Sequence, residues 1–186
     1  PIAANFIAIL QQQLQQQPGK YNTLIEIGTG DGKVLEYLSE RFPHLDKFVG
    51  IDLSSSQIEA NIKVFKENNK LEFVSSDGFD WIKKYGQDNM IILTSRGVLE
   101  YFAESRLKTF FEHLNKFGKY IFIAIEPTGI NHNFLINPNS EIYGSENSFS
   151  HNYKSLFEKS GFNIWHQSRI KYTHPECYIN FIGAKN

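Results

Sequence analysis

The sequence predicts a three-layer α/β/α sandwich built on a seven-stranded, mostly parallel sheet with an antiparallel C-terminal hairpin strand. Three observations lead there. Short apolar runs alternate with segments of helical periodicity along nearly the whole chain, the pattern that puts parallel strands between helices covering both faces of a sheet. The last two apolar runs are separated only by 170–176, a length that suits a hairpin and not a crossover. The first strand breaks at Gly28-Thr29-Gly30-Asp31-Gly32, where alternate glycines permit a sharp turn into a helix and a close ligand approach.

Taken in order, Ile2, Phe6, Leu10 and Leu14 recur every fourth residue, an amphipathic helix within 1–17 that Pro18-Gly19 ends. Strands are expected at 23–28, 47–52, 71–75, 90–95, 119–126, 163–169 and 177–183, from short runs rich in Ile, Val, Leu and Phe. Helices are expected between them at 33–41, 55–68, 79–85, 104–114 and 153–159. From 127 to 150 no periodicity emerges and Asn, Ser, Gly and Pro dominate. A loop of that length in a compact domain is uncommon, and this one leaves the C-terminal end of the fifth strand, the edge where open α/β sheets bind ligands. It is expected to act as a substrate lid.

A chain of 186 residues suffices for one such core and is short for a second, so a single domain over 1–186 is expected. A net charge of -1 argues against a nucleic-acid backbone as partner. No apolar run approaches the roughly 20 residues of a membrane span, and Pro1-Ile2-Ala3-Ala4 lacks the basic region of a secretory signal. The only cysteine, Cys177, sits in an alternating strand-like segment and reads as a small buried hydrophobe. One cysteine forms no internal disulfide, in keeping with a reducing, cytoplasmic location. No spacing of acids or histidines commits the chain to a metal site.

The glycine series decides among cofactors. A dinucleotide fingerprint needs its third glycine where Lys33 stands, and a phosphate-binding loop needs Ser or Thr after Gly32-Lys33, where Val34 stands. Glu26-Ile27-Gly28-Thr29-Gly30-Asp31-Gly32, Asp52 at the end of the second strand, Asp77-Gly78 after the third, and the segment from Ser95-Arg96-Gly97 after the fourth together resemble the class I, Rossmann-like S-adenosylmethionine-dependent methyltransferases of small-molecule type. The likeness runs from about residue 21 to the C-terminus. It implies S-adenosylmethionine as cofactor, with Glu26, Gly28, Thr29, Gly30 and Gly32 forming the cradle. By the same resemblance Asp52 holds the ribose hydroxyls beside Leu53, Asp77 accepts from the adenine amino group, and Gly78 and Phe79 line the ring. Ser95 and Arg96 complete the set. Each acid also has a plain structural reading. Asp52 is a favourable charge near a helix N-terminus, Ser54 a helix cap, and Asp77 a cap for 79–85.

The acceptor is less legible. After the fourth strand Thr94-Ser95-Arg96-Gly97 replaces the Asn/Asp-Pro-Pro-aromatic sequence expected of a methyltransferase acting on exocyclic amines of DNA. Catalytic candidates are Arg96, whose fork suits an acidic group on the substrate, Glu126 at the end of the fifth strand, and His151, where capping of the next helix competes with catalysis. Glu100, Tyr101 and His132 lie in the same segments, whereas His44, His113, His166 and His174 read as surface or hairpin positions. The expected function is methyl transfer to a small-molecule acceptor. The alternatives are a non-catalytic S-adenosylmethionine-binding module and an NAD-type oxidoreductase on a similar sheet.

Overall fold

The computed structural model describes residues 2–173 and 176–186, with side chains from residue 7 onward apart from Glu176. His174, and the side chains of Ile2 and Phe6 in the first helix, therefore lie outside the described residues. Seven strands form the main sheet, and with their helices they make the expected three-layer α/β/α fold. The chain divides into two compact units, 1–91 and 92–186.

The first unit begins with α1 (Ile2–Gln15), which buries Leu10 and Leu14. Three parallel strands follow, β1 (Thr23–Ile27), β2 (Lys47–Asp52) and β3 (Leu71–Ser75), in the order β3-β2-β1. Every residue of β1 is buried, as a strand covered on both faces requires. Three helices connect or follow these strands: α2 (Lys33–Arg41), α3 (Ser55–Val64) and α4 (Gly78–Tyr85). The third helix stops earlier than the expected 55–68. Phe65 closes it by donating to Asn61 O, and its ring stacks on Phe73 with centroids 5.5 Å apart. Burial of that ring at the helix end takes precedence over the helical propensity of 66–68.

The second unit orders its strands β4-β5-β9-β8. They are β4 (Met90–Ser95, whose first residues precede the division), β5 (Tyr120–Gly129), β8 (Asn163–Thr173) and β9 (Glu176–Lys185). β9 runs antiparallel to both β5 and β8, which realises the expected hairpin with longer arms. Two helices, α5 (Glu104–Phe117) and α6 (Tyr153–Lys159), complete the unit. Their core is aromatic. Phe111 stacks on Phe157 with centroids 4.3 Å apart and meets Phe122 edge-on at 5.4 Å, arrangements that add to simple area burial.

The segment 127–150 departs from the structureless loop expected. β5 continues through Pro127 and Thr128 to Gly129, and two three-residue strands, β6 (Glu141–Tyr143) and β7 (Ser148–Ser150), pair as an antiparallel hairpin. Strands this short leave no periodicity to read. The hairpin is fastened by polar side chains. Ser150 Oγ accepts from Gly129 N at 2.9 Å and lies 2.8 Å from Nδ1 of buried His132, whose Nε2 stands 3.0 Å from Asn137 O.

Candidate functional site

In the first unit the glycine turn is held from three sides. Gly28, Gly30 and Gly32 all have positive φ (73°, 51° and 74°), a region that only glycine enters freely. From below, Glu26 is 1% exposed and its Oε2 accepts from Thr29 Oγ1 at 2.9 Å. From β2, Ile51 O accepts from Gly28 N at 2.8 Å and from Thr29 N at 3.1 Å. Asp52 Oδ2 accepts from Gly30 N at 2.9 Å, and Oδ1 accepts from Ser54 N at 3.0 Å.

The third side was not foreseen. Asn61 on α3 is 1% exposed and donates from Nδ2 to Gly30 O at 2.7 Å, and its Oδ1 takes a hydrogen from Gln57 Nε2 at 2.9 Å. Nothing in the local sequence marks these amides, because their role depends on where α3 docks.

The cradle suits a ligand on two grounds. A Cβ built at Gly30 meets nothing within 4 Å, so the turn faces open space. The carboxylate of Asp52 spends one backbone hydrogen bond per oxygen, and a carboxylate has about four acceptor positions, so two more donors can be received. Leu53, beside it, is 74% exposed.

The remaining first-unit candidates have structural duties. Asp77 is the cap foreseen as its alternative reading, its Oδ1 accepting from Phe79 N at 3.0 Å and Asp80 N at 3.1 Å. A Cβ at Gly78 would stand 2.4 Å from Ile27 Cγ2, and Phe79 is 1% exposed. Close helix–strand packing explains this glycine, and the Phe79 ring belongs to the core. Gly32 is likewise placed by packing, since a Cβ there would stand 2.8 Å from the ring of Phe65.

In the second unit β4 ends at buried Ser95, and Arg96 is exposed, has a φ of 64°, and donates its N–H to Ile125 O. The 3₁₀ turn Leu99–Tyr101 follows. Glu126 is fully buried beneath it, and its Oε2 accepts from Val98 N at 2.9 Å and Leu99 N at 3.0 Å. Burial lifts its pKa to about 7, against the opposing pull of the nearby Thr94 hydroxyl and of those two N–H groups. Oε1 and Thr94 Oγ1 nevertheless lack well-formed hydrogen bonds. Glu126 therefore acts as a clamp on the turn after β4.

His151 is also fully buried. Its Nδ1 lies 2.6 Å from Ser140 Oγ, its Nε2 lies 3.0 Å from Phe102 O, and burial lowers its pKa to about 4. Ser140 Oγ also donates to Glu104. The cap of α6 is Asn152, which accepts from Ser155 N at 3.2 Å. Neither a substrate-facing base nor a cap, His151 fastens the segment before β6. Glu126 and His151, the catalytic candidates of the sequence, are both closed off from solvent, Glu126 with Oε2 on the backbone of the turn and His151 with its two nitrogens at Ser140 Oγ and Phe102 O.

These residues border a cavity formed by the segment after β4 and the 127–150 segment, where the sequence places the acceptor candidates. It has a volume of about 730 Å³ and is lined by Arg96, Glu100, His132, Tyr143, Tyr172 and Cys177 among others. Glu100 is 8% exposed and takes a hydrogen bond from Tyr143 OH. Burial raises its pKa, two hydroxyl donors (Tyr143 and Ser148) oppose the rise, and the neighbouring Glu146 charge adds to it. Cys177 is buried, as expected, and burial raises its thiol pKa. Among the described residues no group of His, Cys, Asp and Glu is placed to hold a metal ion, and no helix is long and apolar enough to cross a membrane.

An α/β sheet with a glycine turn after β1 and acids at the ends of β2 and β3 defines a class of enzymes that bind an adenosine-containing cofactor. The comparisons narrow this. A family of methyltransferase domains matches residues 3–167, and the chain belongs to that family. Among solved structures, magnesium protoporphyrin IX methyltransferase from Synechocystis PCC 6803 with bound S-adenosylmethionine is 13% identical, with a TM-score of 0.62 over 98% of this chain and 78% of that one. A protein from Listeria monocytogenes assigned as an S-adenosylmethionine-dependent methyltransferase is 18% identical, with a TM-score of 0.61 over 99% of both chains. One from Galdieria sulphuraria assigned as a sarcosine dimethylglycine methyltransferase is 9% identical, with a TM-score of 0.68 over 98% and 85%. No curated protein matches the sequence. The chain is an S-adenosylmethionine-dependent methyltransferase.

Proposed function

We propose that this enzyme methylates a small molecule bound in the second-unit cavity, with the cofactor held on the glycine turn of the first unit and the whole chain acting as one domain. The observation that carries the reading is the cavity itself. Its volume of about 730 Å³ falls in the range of small-ligand sites, roughly 300–1,000 Å³. Its walls mix aromatic rings, among them Tyr143 and Tyr172, with a few charged groups, among them Arg96 and Glu100. A net charge of -1 supports a small acceptor over a nucleic acid. The cytoplasmic location is proposed on the same footing, since a lone buried cysteine needs no oxidising compartment.

In this reading Asp52 receives the two ribose hydroxyls on its spare lone pairs, and Leu53 offers its exposed side chain to the base. Gly28, Thr29, Gly30 and Gly32 carry the methionine part along the open face of the turn, with Glu26 holding Thr29 from beneath. Asp77 and the backbone at Gly78 and Phe79 bound the adenine. Arg96, just after Ser95 at the end of β4, lines the acceptor cavity. The cofactor supplies a methyl group on a sulfonium sulfur, already electrophilic. The protein's task is therefore to exclude water and align a nucleophile. The 130–149 segment serves both ends, and its fastenings at buried His132, Ser150 and His151 and half-buried Ser140 hold it as a preformed wall.

Replacing 130–149 with a short Gly/Ser linker tests this. S-adenosylhomocysteine affinity is expected to persist in calorimetry. Methyl transfer, followed by S-adenosylhomocysteine release across a metabolite panel, is expected to vanish. Full activity in the replaced protein overturns the placement of the acceptor.

A further inference from the structure

We infer that the acceptor is a protonated amine, bound as a cation against Glu100 in the second-unit cavity, and that Glu100 takes its proton ahead of transfer. This rests on the methyltransferase reading above and adds the chemical class of the substrate and its base. Three carboxylates line the cavity, Glu100, Glu141 and Glu146, against a single guanidinium, Arg96, which is itself exposed. An anionic acceptor would meet net repulsion there. Glu100 is the deepest of the three at 8% exposed.

The surroundings of Glu100 leave it short of a positive partner. Besides burial, the groups that act on it most are the hydroxyls of Tyr143 and Ser148 and the carboxylate of Glu146, with the buried Glu126 a further carboxyl in range, and none of these is a cation. A Cβ built at Gly97 would stand 2.1 Å from Oε1, so that oxygen is pressed against a backbone stripped of any side chain. A buried carboxylate without a countercharge is costly and is relieved by a cation or a proton. A substrate ammonium supplies both in turn. The walls suit it as well. Tyr143 and Tyr172 are among the lining residues, and aromatic rings attract cations, and Tyr101 OH holds Glu146 at 2.8 Å as a second negative group on the rim. An acidic group elsewhere on the same molecule has one partner in the cavity, Arg96.

The step balances as follows. An ammonium R–NH₃⁺ gives one proton to the Glu100 carboxylate and becomes R–NH₂. The nitrogen lone pair forms the new N–C bond to the methyl carbon while the C–S bond breaks, and its electron pair stays on sulfur, which leaves neutral. The product is the secondary ammonium R–NH₂⁺–CH₃, and Glu100 releases its proton to water. Tyr143 is a positioning residue, because its hydroxyl fixes the carboxylate through Oε2.

The test uses three probes with one ring and three head groups: phenethylamine, 2-phenylethanol and 3-phenylpropanoate. S-adenosylhomocysteine is titrated first, and each probe is then titrated by calorimetry with and without it. Phenethylamine is expected to bind wild type at least about tenfold tighter than the other two, the size of one charge-assisted hydrogen bond. Glu100→Gln keeps the shape and the Tyr143 contact. It is expected to erase that preference while S-adenosylhomocysteine affinity stays at the wild-type value. If Glu100→Gln lacks a native circular dichroism spectrum, Glu100→Asp replaces it, with the preference falling by about tenfold. Equal binding of the three probes by wild type overturns the inference, as does a preference that survives either variant. Absence of S-adenosylhomocysteine binding defeats the cofactor reading instead, and the probe titrations made without it still decide this one.

Discussion

Glu126→Gln exchanges an oxygen for a nitrogen at a fully buried position whose other oxygen already accepts from Val98 N and Leu99 N. The amide oxygen of Gln can take both N–H donors, and its NH₂ can be offered to the nearby Thr94 Oγ1, which makes no well-formed hydrogen bond in the wild type. What changes is the charge. Burial raises the carboxyl from 4.5 to about 7, so the proton is held more tightly in the folded state than in the unfolded one. The stabilisation linked to that proton is whole below about pH 4.5 and is lost as pH rises through about 7. The ionised side chain then costs about 3 kcal/mol that a neutral amide does not. Glu126→Gln is therefore expected to match wild type at about pH 4 and to exceed it by about 3 kcal/mol at about pH 8. Urea unfolding followed by circular dichroism at several pH values gives both curves, and their difference isolates this one group. A difference that stays constant with pH would refute the reasoning, since it would mean that Glu126 ionises alike in both states.

Two further outcomes bear on the cofactor cradle. Asp52→Ala is expected to weaken S-adenosylhomocysteine binding by about 1.5–3 kcal/mol in calorimetry, the range for hydrogen bonds to a charged acceptor; unchanged affinity would remove Asp52 from the ribose site. Gly30→Val puts a β-branched residue at a φ of 51° with its side chain directed into the open face of the turn, and is expected to abolish binding while the circular dichroism spectrum stays native. Wild-type affinity in that variant would leave the turn a purely structural role.

The parts of this protein that the sequence made legible are those whose chemistry is local. A glycine turn, an acid at a strand end and a helix period each reside in a few consecutive residues, so β1, Gly30, Asp52 and the Asp77 cap could be placed from the chain alone. The parts that stayed hidden depend on distant segments meeting. Asn61 grips Gly30 from 31 residues away, and Glu126 reaches the Val98 N–H across 28. His151 reads as a base because an isolated histidine near a loop resembles one, and its burial with both nitrogens engaged depends on Phe102 and Ser140 meeting it from other segments. Gly78 resembles a ligand contact in sequence and proves to be a packing position because Ile27 occupies the space of its missing side chain. The β6–β7 hairpin escaped notice for a different reason, since three residues are too few to show an alternation.

The Gln57–Asn61–Gly30 chain has a consequence for cofactor recognition that concerns entropy. Gln57 Nε2 occupies the Asn61 carbonyl oxygen, so the Asn61 amide has one orientation, with Nδ2 toward Gly30 O. Together with Asp52 on the Gly30 N–H, both polar groups of that peptide are engaged by side chains from separate elements. The turn thus loses its conformational freedom when the first unit folds, ahead of any encounter with ligand. Less ordering remains to oppose association, and more of the interaction energy appears as affinity. The coupling also runs the other way. In the proposed site a cofactor along the turn would strengthen the hold of α3 and β2 on it, so ligand at saturating concentration is expected to raise the unfolding midpoint of the protein by mass action.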